Sequence, residues 1–264
     1  MLRCRKDSDQ KRGLREMQLF LSLAFLFCFG SFFGWVLEVI FRRLDHGKWI
    51  NPGFLTGPAL PLYGTGLMLM YLICRLCEGV QTGMPWLDAI LTLLLITAVM
   101  TLLEYLTGIV LLKLLNLRLW DYTDNFGNLQ GIICPLYTAC WGLLAVAYRF
   151  LLHRYAVLLT GWFVAHPACF FFLGIFYGVL LVDLACSLQL AAKLRRWTAN
   201  SGIIVKYEKL KELVYDRAKQ RKERVSFFFA LHRPRRLRET VDAYLKALRA
   251  DGKRATRIFR RRKK

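Results

Sequence analysis

The sequence lacks the short motifs that mark most catalytic and nucleotide-hydrolysing proteins. No Gly-x-x-x-x-Gly-Lys-Ser/Thr run occurs, so the chain is not itself a P-loop ATPase, and any ATP-driven role needs a separate subunit. There is no Gly-x-Ser-x-Gly elbow for a nucleophilic serine. His46, His153, His166 and His232 are scattered, without the His-Glu-x-x-His spacing of a zinc site, and no EF-hand spacing is present. No catalytic residue, metal ligand or cofactor is therefore assigned. An intramembrane enzyme stays open, with no motif in its favour. Solenoid-period repeats are absent, and nucleic acid is a poorer partner for the basic residues than membrane.

Charge is missing from whole windows, which excludes a soluble core, whose helices and strands would alternate apolar with polar faces. Acidic residues are few, 18 Asp and Glu against 39 Lys and Arg, and the imbalance is local. Residues 1–192 hold 14 basic and 11 acidic residues, whereas 193–264 hold 25 and 7. Cysteine is not scarce, but Cys28, Cys74, Cys134 and others fall within apolar runs, where thiols behave as small hydrophobes and imply no disulfide framework. Cys74-Arg-Leu-Cys77 has ligand spacing without a second pair nearby to complete a metal site.

What is present is apolar length. A bilayer core of about 30 Å needs about 20 helical residues, and 56% of this chain is hydrophobic. The reading is an all-α polytopic membrane bundle of about five spans. A basic segment, 1–16, leads into a transmembrane domain, 17–192, and a basic helical tail, 193–264. The first span runs from Met17 to Phe41, without the cleavage pattern of a removed signal peptide. The third runs from Trp86 to Leu115 and the fourth from Gly131 to Leu152, where Arg149, His153 and Arg154 mark its end. His166-Pro167 then breaks the long apolar run Tyr155–Leu190, because a residue before proline avoids the α region. The last span carries Gly174-Ile-Phe-Tyr-Gly178, a small-xxx-small face suited to helix packing or an oligomer contact. In the tail, Tyr207, Leu210 and Val214, then Leu237, Val241, Tyr244 and Leu248, are spaced as two amphipathic helices. Basic residues at both ends favour an even number of spans, against a count of five; the reading adopted is five, with the tail cytoplasmic.

The second span starts irregularly. Gly53, Gly57, Pro58, Pro61, Gly64 and Gly66 lie within fourteen residues, a broken or re-entrant segment near 53–66 whose backbone groups need protein or water as partners. That makes it a candidate wall of a site. Glu38, Glu104 and Asp183 lie inside or at the ends of apolar spans, where a carboxylate at the helix centre costs about 2.5 to 3.5 kcal/mol on insertion scales for Asp. Such a cost fits a relay or polar substrate site facing the bundle, or an interhelical hydrogen bond; for Asp183 the structural role leads. The loop 116–130 adds Asp121, Asp124 and Asn128, which read as hard oxygen ligands or as turn caps. With Tyr63 these give the candidate polar site Glu38, Glu104, Asp121, Asp124, Asn128 and Tyr63.

Several blocks in order carry a resemblance: Gly34-Trp35-x-x-Glu38, Gly53-Phe54-Leu55-x-Gly57-Pro58-x-x-Pro61-x-Tyr63-Gly64-x-Gly66, Glu104-Tyr105-x-x-Gly108, Trp120-Asp121-Tyr122, Asn128-x-x-Gly131 and Trp141-Gly142. Together they resemble the bacterial ABC transporter permease, type IV (CmpB-like) family over about Met17 to Leu190. The resemblance implies a multi-pass protein of a bacterial cell membrane, a permease component with an ATPase subunit as partner. It also implies an acidic residue near Leu112 and a basic one near Pro52, which this chain does not have. The alternative function is a membrane scaffold whose tail binds anionic lipid or a cytosolic partner.

Overall fold

The computed structural model describes residues 2–47, 49–79, 82–198, 204–220 and 237–246. Helix α1 spans Leu2–His46, α2 Pro61–Cys77, α3 Pro85–Leu115, α4 Pro135–Ala147, α5 His153–Ala165, α6 Cys169–Thr198 and α7 Tyr207–Gln220, and a further helix, α8, covers 237–246. The protein is an all-α membrane bundle. Gln10–Leu44, Pro85–Leu115, Pro135–Ala165 and Cys169–Thr198 are long and apolar enough to cross a membrane. At 17 residues α2 is shorter, about 25 Å at 1.5 Å per residue.

Proline sets the starts. Pro61, Pro85 and Pro135 each open a helix, where the missing N–H has no intrahelical acceptor to lose and φ is already helical. The third helix ends where Asn116 turns left-handed at φ +54° and returns its N–H to the last turn. As the spacing predicts, the chain breaks at His166-Pro167 before α6. The fourth helix differs from the sequence reading at its far end. It does not stop at Leu152; one π turn, Tyr148–Leu152, carries it into α5. Arg149, His153 and Arg154 sit in and beside that turn rather than beyond the helix. Residues 2–16 of the basic segment likewise continue into the first span without a break.

Helices α1 and α2 pack antiparallel through glycine. A Cβ on Gly64 would lie 2.5 Å from the Phe27 carbonyl oxygen, and one on Gly34 would lie 2.3 Å from Tyr63 Cβ. The irregular stretch accordingly occupies 49–60, and Gly64 and Gly66 are helical positions that let neighbours approach. Leu26, Met70, Ile96, Met100, Trp141, Ala145 and Tyr148 form the core between these helices. Large apolar residues such as Leu94, Leu158, Phe171 and Val182 point outward, as a lipid-facing surface requires. Gly174 and Gly178 belong to that outer surface, with nothing within 4 Å of a built Cβ.

The tail joins the bundle. Leu117–Arg118 (β1) pairs in parallel with Val205–Lys206 (β2), and Leu117, Ala191, Leu194, Val205, Tyr207, Leu210, Val241 and Tyr244 bury one another in a second core. Both amphipathic segments thus turn their apolar faces inward, and the tail helices lie against the end of α6. Leu248, the connection 226–234 and the basic run 260–264 lie outside the described residues.

Candidate functional site

One end of the bundle gathers four pieces: the carboxyl end of α1, the stretch 49–60, the loop 116–134 and α7. Glu38 faces α2 there. Its Oε2 accepts from the Tyr63 hydroxyl at 2.8 Å and its Oε1 from Arg42 Nη2 at 2.9 Å, the i,i+4 partner on its own helix. Arg42 also pairs with Glu208 of α7.

Glu104 of α3 is 4% exposed. Its Oε1 accepts from the Tyr122 hydroxyl at 3.1 Å and its Oε2 from Trp141 Nε1 at 3.0 Å. Among the described residues these uncharged donors are the hydrogen-bond partners of Glu104, so no cationic side chain bonds to it. The rings of Tyr63 and Trp141 lie 5.9 Å apart, which closes a line from Glu38 through Tyr63 and Trp141 to Glu104. Tyr122 stacks on Tyr137 at 4.1 Å. Burial pushes the Tyr122 hydroxyl up, and Glu104 and Glu38 both add to the shift, so it stays a donor across the ordinary pH range.

The other loop residues serve the loop. Asp121 accepts from Arg118 and Thr123 and pairs with Lys206. Burial opposes its ionisation, but Lys206, Thr123 and Arg118 together hold the carboxyl well below the usual range. Asn128 donates to the Thr123 and Asn125 carbonyls at 3.0 and 2.9 Å and accepts from Gly131 N at 3.0 Å, which closes the turn. Asp124 is exposed. Of the six candidates, then, Glu38, Glu104 and Tyr63 come together, while Asp121 and Asn128 brace the loop that brings Tyr122 to Glu104. Ile132 seats the loop on α3: a Cβ on Gly108 would lie 2.3 Å from its Cγ2.

The stretch 49–60 is held by side chains from three directions. Asp183 of α6 accepts from Thr56 N at 3.0 Å and Gly57 N at 2.7 Å. Asn51 accepts from Trp35 Nε1 at 2.7 Å and donates to the Thr56 carbonyl at 2.6 Å. Lys211 donates to the Asn51 and Gly53 carbonyls, both at 2.9 Å. Gly53, at φ +73°, makes the turn, and a Cβ there would lie 2.2 Å from Leu60 Cδ2. Pro58 is exposed, and Pro61 opens α2. Thr56 N, Gly57 N and the carbonyls of Asn51, Gly53 and Thr56 therefore have side-chain partners, which an irregular backbone in a membrane protein needs.

Sequence reasoning missed Arg42, Asn51, Glu208 and Lys211. For Lys211 a signal existed: it shares the apolar stripe of Tyr207, Leu210 and Val214, where a basic residue is out of place. Burial, then Arg42 nearby, pulls its amine down to about 7, against the pull of Glu208 and Asp183. It also supplies, from far along the chain, a basic group beside Pro52.

Comparison with curated proteins and with solved structures returned no match. Residues 25–188 match the family described as "Putative ABC-transporter type IV", a stretch that contains the break, both membrane glutamates and the whole 116–134 loop, and the chain belongs to that family.

Proposed function

We propose that the protein is the permease component of a bacterial transporter, and that Glu104 is the group that binds a cationic solute or an exchangeable proton, with Glu38 as its partner across Tyr63 and Trp141. A buried carboxylate whose hydrogen-bond donors are all uncharged carries a desolvation cost that a cation or a proton removes. That Tyr122–Glu104–Trp141 arrangement is the observation that carries the reading. Its place beside an irregular, protein-lined break is the setting in which transporter sites are built. Asp183, Asn51 and Lys211 act as the frame of the break. Strand β2 and helix α7 form the lid of this end, tied to α1, the break and the loop by Glu208, Lys211 and Lys206.

The tail end lies on the cytoplasmic side in this reading, which puts Met1 outside. A separate ATPase supplies the energy, since the chain has no P-loop. Exposed Lys113, Lys193, Arg196 and Lys209 at the same end contact anionic headgroups, each near-surface charge adding about 1 kcal/mol of attraction. Those same residues favour the second reading, a membrane scaffold docked on anionic lipid or a cytosolic partner.

Binding separates the two. The full-length protein in nanodiscs is titrated with a panel of cationic solutes, comparing wild type with Glu104→Gln and with a chain shortened after residue 198. Saturable binding lost in Glu104→Gln supports the permease reading. Its absence, together with vesicle binding that vanishes on shortening, supports the scaffold.

A further inference from the structure

The opposite end of the bundle holds a buried polar group that the Glu38–Glu104 site does not use. His153 is 5% exposed and Tyr148 2%. The Tyr148 hydroxyl lies 3.0 Å from His153 Nδ1, and His153 Nε2 lies 3.1 Å from Glu78 Oε1, just beyond the end of α2. Glu78 is half-exposed, so the row runs from solvent into the core.

The π turn creates this row. Trp141, Ala145 and Tyr148 mark the buried face of α4 at helical spacing, and an uninterrupted α-helix would place Leu152 inward next. Instead Leu152 is exposed, and the buried face resumes at His153, Ala156, Thr160 and Phe163. The extra residue of the turn rotates a histidine into the core and sets it against the tyrosine five positions before it. Such single-turn insertions occur frequently at functional sites.

We propose that Glu78, His153 and Tyr148 form a proton-binding site at the end of the bundle opposite the Glu38–Glu104 pair, in which protonation of His153 remakes the hydrogen bond that bridges the π turn. With Glu78 ionised, Nε2 carries the ring proton and donates to the carboxylate, and Nδ1 accepts from Tyr148. A hydronium ion delivers one proton to the Nδ1 lone pair and leaves as water. One N–H bond forms, the net charge of the site goes from −1 to 0, and the Tyr148 hydroxyl turns from donor to acceptor. The buried Tyr148 hydroxyl proton then has to find another acceptor, which couples the turn to the proton.

Tyr71 and Glu78 from α2 and its flank and Tyr148 from the π turn face His153; Cys74 lies near Tyr148, and Arg149 near Cys74. Arg75 approaches the other Glu78 oxygen at 4.0 Å, and the Tyr71 ring lies 5.9 Å from the imidazole. From α1, Leu23 and Leu26 belong to the apolar core that includes Tyr148, and its charged Arg12, Arg15 and Glu16 are exposed. The inference does not rest on the permease reading.

The test is ring-nitrogen NMR of the full-length, histidine-labelled protein in nanodiscs between pH 5 and 9, with the His153 signal identified by its loss in His153→Asn. The expected neutral form carries its proton on Nε2. Glu78→Gln removes the carboxylate that accepts from Nε2 and Tyr148→Phe the hydroxyl that donates to Nδ1, so each variant displaces the protonation midpoint of His153. A proton on Nδ1 in the neutral form, no protonation across the range, or a midpoint unmoved in either folded variant overturns the proposal.

Discussion

The Lys211 amine lies 2.9 Å from the carbonyl oxygen of Asn51, 160 residues earlier in the chain, and ties the tail to the irregular stretch that precedes α2. This contact changes what the tail is. Its net charge invites a picture of a solvated basic extension, yet β2 turns Lys206 toward the loop and α7 turns Glu208 and Lys211 toward the α1 end and the break. Each pairs with a different piece of the candidate site.

Removing Lys211 should loosen that end. Lys211→Ala leaves the Asn51 and Gly53 carbonyls buried without this donor, a loss of about 1–3 kcal/mol for each unsatisfied group. The melting temperature of the full-length protein in detergent should fall, and protease cleavage within 204–220 should speed up.

The same contact predicts a pH dependence. An amine lowered to about 7 in the folded protein against 10.5 when free binds fewer protons folded than unfolded between those values. Its contribution is therefore fully present above about pH 10.5 and is lost as pH falls toward 7. Protease protection of α7 should increase from pH 7 to pH 9 in wild type, and Lys211→Met should flatten that rise.

Asp183 should prove structural. Asp183→Ala strips the acceptors of Thr56 N and Gly57 N and should lower stability by about 1–3 kcal/mol per buried donor, while Asp183→Asn, which keeps one oxygen, should cost less. Thermal unfolding of both variants measures the difference. Solute binding by the folded fraction of Asp183→Asn should match wild type.

Gly64 and the pair Gly174 and Gly178 should behave oppositely. Gly64→Ala forces a Cβ to within 2.5 Å of the Phe27 carbonyl oxygen, a backbone clash that should cost about 1–3 kcal/mol or more. Gly174→Ala and Gly178→Ala meet open space and should leave monomer stability unchanged or slightly raised, as Ala in a helix interior usually does. Parallel melting curves of the three variants decide it.

The membrane bundle was legible because uncharged apolar runs and Pro61, Pro85, Pro135 and Pro167 carry local signals. The pairing of Glu38 with Tyr63 was legible only as a shared neighbourhood of motifs. Lys211 stands out on the apolar stripe of its helix, but its partners and that of Glu208 are long-range and could not be placed by spacing. The π turn was invisible for a different reason: Leu152 and His153 are adjacent, and only the packing of Tyr148 decides which faces inward. Asp121 and Asn128 looked like ligands because turn caps and oxygen ligands use the same residue types.

The central claim is that Glu104, held by Tyr122 and Trp141, is where a cation or proton binds. Glu104→Gln keeps an oxygen acceptor and removes the buried charge, so the variant should fold at least as well as wild type. Cation-panel binding by wild type and Glu104→Gln in nanodiscs is the direct measurement. Wild type should bind a cationic solute saturably and with a pH dependence, and Glu104→Gln should weaken that binding at least tenfold, about 1.4 kcal/mol. Equal affinity in the two proteins, at equal melting temperature, would contradict it.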